Sequence, residues 1–247
     1  SWMAYKNRSN YVMNGDLADM AVEIADDAGN TTYAKTFEEA VTIIENANNK
    51  RAEYTMTLLY RGDGIVKTGQ GGAYGALKLP SKAASVTIQG ESGKQLALQF
   101  TGEIKPACDV AFANVLLTDG KVKNGVFSPS NTIALNMTNY NVAFGQGAKT
   151  GTADGGLALL ACTKVTGKKA LDLYGQQLIC INGGIDVNTV KLLNGAYLQA
   201  AKDIKVKDLY AETYNSPSTV VSINAKGAMK LTNIHGNATL RIHSYYT

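Results

Sequence analysis

The sequence predicts an all-β fold: a solenoid of about seven stacked coils, closed at its N-terminal end by an α-helix. Three observations predict it. A short motif returns about every 25 residues along most of the chain. Asn, Asp or Gly recurs at one place in that motif, where a chain can turn. One helical signature, over about 36–48, stands ahead of the repeat, and none falls within it.

Composition bounds the reading. The chain has 247 residues, 45% of them hydrophobic and 18% charged, a globular and not a disordered balance. An all-β unit of this length is commonly one domain. Few charges, 25 Gly and abundant Asn and Thr fit a β-rich extracellular or cell-surface protein better than a helical cytosolic one. The net charge of +4 is spread without blocks, so no nucleic acid is expected as a partner, because neutralising phosphates takes a clustered basic face. No apolar run approaches the roughly 18 residues that span a membrane, so no membrane insertion is expected. The chain begins Ser1-Trp2-Met3 without a charged-then-apolar leader, which fits a piece of a longer multidomain secreted protein. Cys108, Cys162 and Cys180 allow at most one internal disulfide. They show no CxxC spacing, and two His are too few for a zinc set, so core thiols and no metal are expected.

The elements follow in order. Residues 1–14 are polar and aromatic without period and read as a tail or linker ahead of a single domain over 15–247. Met20, Val22 and Ile24 alternate with Ala21, Glu23 and Ala25, a half-buried strand. Asp26-Asp27-Ala28-Gly29-Asn30 is a turn. Thr36-Phe37-Glu38-Glu39 has capping-box form, and Phe37, Ala40, Val41 and Ile44 follow at helical spacing. From Tyr54 the period falls to two, giving a strand over Thr55–Tyr60 that completes an N-terminal portion at 15–60. Arg61-Gly62-Asp63-Gly64 reads as a turn. The Gly-rich run from Thr68 to Gly75 lacks the Lys-Ser/Thr ending of a phosphate loop, and no helix follows, so no nucleotide or other cofactor is expected.

The repeat fills 85–243. Val110-Ala111-Phe112-Ala113-Asn114-Val115 returns as Leu135–Tyr140, Leu160–Val165, Ile204–Leu209 and Met229–Ile234. Val86–Gly90 has the same shape and Ile179–Gly183 fits more loosely. A second apolar pair follows in each unit, as at Leu96 and Leu98, Leu171 and Leu173, Val190 and Leu192, or Leu240 and Ile242. Two or three strands per unit without a helix exclude βαβ units. Each unit then reads as one coil, whose strands pair in parallel with those of the next at about 4.8 Å. Asn114, Asn139, Asp208 and Asn233 would form a bend column, with Gly90 and Gly183 in left-handed conformations. Lys164 breaks that column, and a different turn is expected there.

This pattern resembles the right-handed parallel β-helix of the pectin-lyase-like superfamily, over about 85–243, with the 36–48 helix where those proteins cap the coil. The resemblance implies secretion and contact with polysaccharide. Of the polygalacturonase-like motifs, the nearest fragments are Ile234-His235-Gly236 and Arg241-Ile242-His243, without the paired-Asp elements. No catalytic set is therefore assigned. Asp172, Asp186, Asp203, Asp208 and Glu212 are the candidate carboxylates for an acid–base pair, and stacking would make Asp186 and Asp208, or Asp208 and Asn233, neighbours. Lys205, Lys207 and Lys230, interspersed with Tyr174, Tyr197, Tyr210 and Tyr214, suit an anionic polysaccharide or cell-surface glycan. The sequence thus favours a non-catalytic carbohydrate-binding module or adhesin scaffold. The alternative is a polysaccharide lyase or glycoside hydrolase.

Overall fold

The computed structural model describes residues 17–47, 51–70, 75–119, 122–123, 126–127, 133–145, 161–162, 164–175, 177–180, 182–214 and 219–246. The expected 1–14 tail lies outside them. The chain is all-β with a mainly parallel sheet.

At the N-terminal end β1 (Val22–Asp26) and β2 (Thr31–Ala34) form an antiparallel hairpin. Its turn is held by the Asp26 carboxylate, which accepts from the Ala28 and Asn30 amides at 3.0 and 2.8 Å. Helix α1 (Phe37–Glu45) follows. Thr36 caps it by accepting from the Glu39 amide at 3.0 Å, while the Glu39 carboxylate reaches back to the Lys35 amide at 3.2 Å. The helix is shorter than 36–48 because Asn46 takes the C-cap. Phe37, Ala40, Val41 and Ile44 are buried, as their spacing requires. Glu45 accepts from the Ser81 amide, the Ser81 hydroxyl and the Lys82 amide, which ties the helix to the chain leading into the parallel strands.

The remaining strands are β3 (Glu53–Leu58), β4 (Ile65–Lys67), β5 (Ser85–Gly90), β6 (Ala97–Gln99), β7 (Asp109–Ala113) and β8 (Leu116–Thr118). Then come β9 (Val122–Lys123), β10 (Val126–Phe127), β11 (Leu135–Met137), β12 (Val142–Phe144), β13 (Ala161–Cys162) and β14 (Val165–Tyr174). The last are β15 (Gln177–Cys180), β16 (Ile185–Leu193), β17 (Tyr197–Ala200), β18 (Ile204–Glu212), β19 (Val220–His235) and β20 (Thr239–Tyr246). The thin hairpin of β9 and β10 is antiparallel.

Four parallel ladders emerge. The first runs through β3, β5, β7, β12, β14, β16, β18 and β19, aligning Tyr54, Val86, Val110, Val142, Leu171, Val190, Leu209 and Ile234. The second aligns Leu135, Val165, Ile185, Ile204 and Met229, with Ile104 bridged to Leu135. A third joins β13, β15, β17, β19 and β20, and a fourth joins β4, β6 and β8. One hydrophobic cluster links Val22 and Phe37 at one end to Val221 and Ala225 near the other. Inside it the rings of Phe112 and Phe144, neighbours in the first ladder, stack with centroids 5.7 Å apart.

These registers revise the repeat in two ways. The steps along the first ladder range from 19 residues (Leu171 to Val190) to 32 (Tyr54 to Val86), so 25 is only an average. The motif around Val110 belongs to the first ladder, whereas those at Leu135, Ile204 and Met229 belong to the second. Two different strands share one spelling. The expected bend column divides accordingly. Asn114 follows its apolar pair, takes a φ of 50° and donates its amide to the Gly90 and Glu91 carbonyls. Asp208 and Asn233 lie inside β18 and β19, where burial skips one beat between Val206 and Leu209. They continue a line through Asp109, Asn141, Ala170 and Thr189 that is polar at every position but Ala170.

Other turns are corrected too. Asn194, at φ 51°, shares the left-handed conformation of Asn114, and its side chain accepts from the Tyr214 amide at 3.0 Å. The irregularity expected at Lys164 falls just beyond it, as a register shift between Gly167 and Ala170. Gly90 is not left-handed. It is glycine because a Cβ there would sit 2.2 Å from the Asn114 carbonyl oxygen of the next strand.

Gly90→Ala forces that contact apart and is expected to lower the unfolding free energy by about 1–3 kcal/mol. Urea denaturation checks it; an unchanged midpoint would show that the two strands can separate freely there.

Candidate functional site

The first ladder carries an outward row next to its buried column. Residues one step after the aligned apolar set are Thr55, Thr87, Ala111, Ala143, Asp172, Lys191, Tyr210 and His235. The first four are small. The last four change the chemistry of the row abruptly. Because neighbouring parallel strands lie about 4.8 Å apart, these four side chains are placed shoulder to shoulder.

The contacts bear out that placement. The Lys191 ammonium lies 5.6 Å from the centre of the Tyr210 ring. Tyr210 and His235 stack, centroids 4.6 Å apart and planes 23° from parallel. His235 Nε2 is 3.1 Å from Asp208 Oδ1, which also accepts the Asn233 side-chain amide at 3.0 Å. These hydrogen bonds from His235 and Asn233 hold the Asp208 carboxyl below its ordinary value. At the other end of the row, burial pushes the Asp172 carboxyl up to about 6, with Lys191 opposing the rise and Glu212 adding to it. Asp172 is half-buried as a residue, yet its Oδ1 is sealed from solvent and has no hydrogen-bond partner among the described residues.

The expected site residues fall into three places. Asp172 and Tyr210 lie in this row, two strands apart, and Asp208 joins its far end through His235. Tyr174 stands beside Asp172, with Tyr214 against Tyr174, but Tyr174 is only 6% exposed, so it offers no ring face to a ligand. Burial, then Asp172, raises the Tyr174 hydroxyl, which hydrogen-bonds Tyr214. Tyr214, at 57% exposure, is the open ring here. Asp186 aligns with Lys205 and Lys230 along the second ladder, all three exposed. It therefore does not meet Asp208, whose partner is Thr189, because this unit advances by 19 residues and not 25. Lys207 is exposed next to Asp208. Tyr197 lies apart on the third ladder, where its hydroxyl donates to the Gln199 side-chain oxygen.

Lys191 and His235 were missed as partners. The signal was present: each follows an aligned apolar residue, as Asp172 and Tyr210 do, once the repeat is phased on Leu171, Val190, Leu209 and Ile234. Tyr210 stands between them in the row, flanked by Lys191 and stacked on His235, so its ring is not open to a sugar.

Other candidates resolve simply. Cys108 is buried, and desolvation ahead of Asp109 and Glu45 pushes its thiol up to about 12, so it stays protonated and unreactive. Cys162 and Cys180 are paired in backbone register; their side chains lie outside the described residues. Arg61 is turned back onto the Tyr60 and Leu17 carbonyls and is not a projecting Arg-Gly-Asp ligand. Among the described residues no group of three or more His, Cys, Asp or Glu is placed to hold a metal ion. No helix there is long and apolar enough to cross a membrane. Comparison with protein-family models, curated proteins and solved structures gave no match.

The two carboxyls make opposite pH predictions. The folded form of Asp172 keeps a proton that the unfolded chain loses between about pH 3.8 and 6, so stability from this group falls as pH rises through that window. Asp172→Asn should remove that fall and stabilise the protein at pH 7, by at most on the order of 3 kcal/mol. Asp208 acts the other way: its contribution is present above its ordinary value and is lost as pH falls through its lowered one. Urea midpoints from pH 3 to 8 test both, and a wild-type profile level between pH 4 and 6 would refute the first.

Proposed function

We propose that the ladders are successive coils of a right-handed parallel β-helix of the pectin-lyase-like kind, and that the protein is a non-catalytic extracellular or cell-surface module binding carbohydrate. What carries this reading is the Lys191–Tyr210–His235–Asp208 row, a continuous line of prepaired polar groups on rigid strands. Such groups lose little side-chain entropy on binding. Lys191 and the exposed Lys205 and Lys230 favour an acidic polysaccharide, Asn233 and His235 supply hydrogen bonds, and the open ring of Tyr214 supplies stacking. An adhesin scaffold would use the same surface.

Affinity electrophoresis against acidic and neutral polysaccharides is the test. Retardation is expected in at least one acidic gel, weakened about tenfold or more by Lys191→Ala and by Tyr214→Ala. Free migration in every gel would overturn the proposal.

A second reading rests on Asp172. A carboxyl raised to about 6, with a Lys on the adjacent strand, is the kind of pair that moves protons in polysaccharide cleavage. Product formation on a pectin, alginate or xylan panel, abolished by Asp172→Asn in a folded protein, would replace the binding reading with a lyase or hydrolase.

A further inference from the structure

A cleft of about 280 Å³ opens at the other end of the molecule, between the start of α1 and the turn leading into β4. Ala21, Phe37, Leu59, Ile65 and Val66 make an apolar floor. Three cations line it: Lys35, Arg61 and Lys67. Lys35 and Lys67 are exposed and have no acidic partner among the described residues. Arg61 is fixed more firmly. Nη1 donates to the Tyr60 carbonyl at 2.7 Å and Nη2 to the Leu17 carbonyl at 3.0 Å. Those two bonds hold the guanidinium plane, and its Nε–H is buried without a partner among the described residues.

One N–H of each Nη is committed to a carbonyl, which leaves a second N–H on each for an acceptor. The one carboxylate in the cleft, Asp63, is occupied within its own turn, where Oδ1 accepts from the Ile65 amide at 3.0 Å. Three cations against one committed anion, a preoriented guanidinium and an apolar floor make a receptor for an oxyanion attached to a small apolar or ring-shaped body.

We propose that this cleft binds a small oxyanion group, a carboxylate, sulfate or phosphate, with Arg61 as the fixed donor and Lys35 and Lys67 as closing charges. The site shares no residue with the row on the first ladder and does not depend on the function proposed for it. An oxyanion can arrive free in solution or carried on a sugar ring. The fork geometry of Arg61 suits both, and the apolar floor favours the second.

Calorimetric titration of the whole chain at constant ionic strength tests it, with sodium sulfate, sodium phosphate and galacturonate as probes and galactose as the neutral control. Saturable binding of at least one anion and none of galactose is expected. Lys35→Gln with Lys67→Gln should weaken binding about tenfold or more, and Lys105→Gln, at an exposed position outside both sites, should leave it unchanged. Tighter binding of galacturonate than of the inorganic ions identifies a sugar-borne group; the reverse identifies a free ion. Arg61→Ala should abolish binding, and the double Lys variant decides the matter if that protein does not fold. No saturable heat with any anion, equal binding of galactose, or full affinity in the double Lys variant would each overturn the proposal.

Discussion

Everything in this molecule depends on parallel backbone pairing held in register from one strand to the next. Once Val190 lies beside Leu171 and Leu209, every neighbour along those strands is assigned. Buried positions become columns and exposed positions become rows. The apolar columns supply the burial that offsets ordering so many short strands, since each strand alone could bury almost nothing. The same constraint leaves little tolerance between neighbours. At Gly90 the next strand's carbonyl occupies the space of a Cβ, and at Gly167 the Met137 backbone does the same. These glycines come from the spacing between strands as much as from turn geometry.

Parallel stacking leaves two exposed ends, which the chain treats differently. At the N-terminal end the direction reverses: β1 and β2 run antiparallel, β1 covers the edge of β3, and α1 seals the apolar interior. At the other end the core thins. Met229, Leu231 and Leu240 are only partly buried, and Ile234 and Ile242 are 52% and 47% exposed. The columns therefore close firmly on one side and fade out on the other.

Much of this was legible in the residues. The capping box, its buried helix face and the switch to a period of two at the first long strand required only local chemistry. Phasing was not legible, and the reason is physical. Two apolar residues two apart, followed by Asn or Asp, describe any inward strand that ends at a polar position. The first and second ladders both satisfy this, so Val110 and Ile204 look equivalent although they occupy different ladders. That one-strand slip placed Asp186 beside Asp208 and kept Lys191 and His235 out of view. Exposure hid a second fact: nothing local distinguishes buried Tyr174 from open Tyr214, because only their distance from the ladder separates them.

The row on the first ladder shows how such a lattice acquires chemistry. Thr55, Thr87, Ala111 and Ala143 keep the early row small and inert. Asp172 then introduces a charge whose Oδ1 has no donor among the described residues, and burial makes that charge costly. Lys191, the next member, lowers the cost without removing it, and Tyr210 and His235 pass the contact along to Asp208. One end of the row therefore holds a carboxyl poised between its two forms, and the other holds one fixed as an anion. A row carrying only structural polar groups would satisfy every donor and acceptor at little cost. This one maintains an imbalance across four adjacent strands, and that imbalance is what a ligand, or a reacting bond, can use.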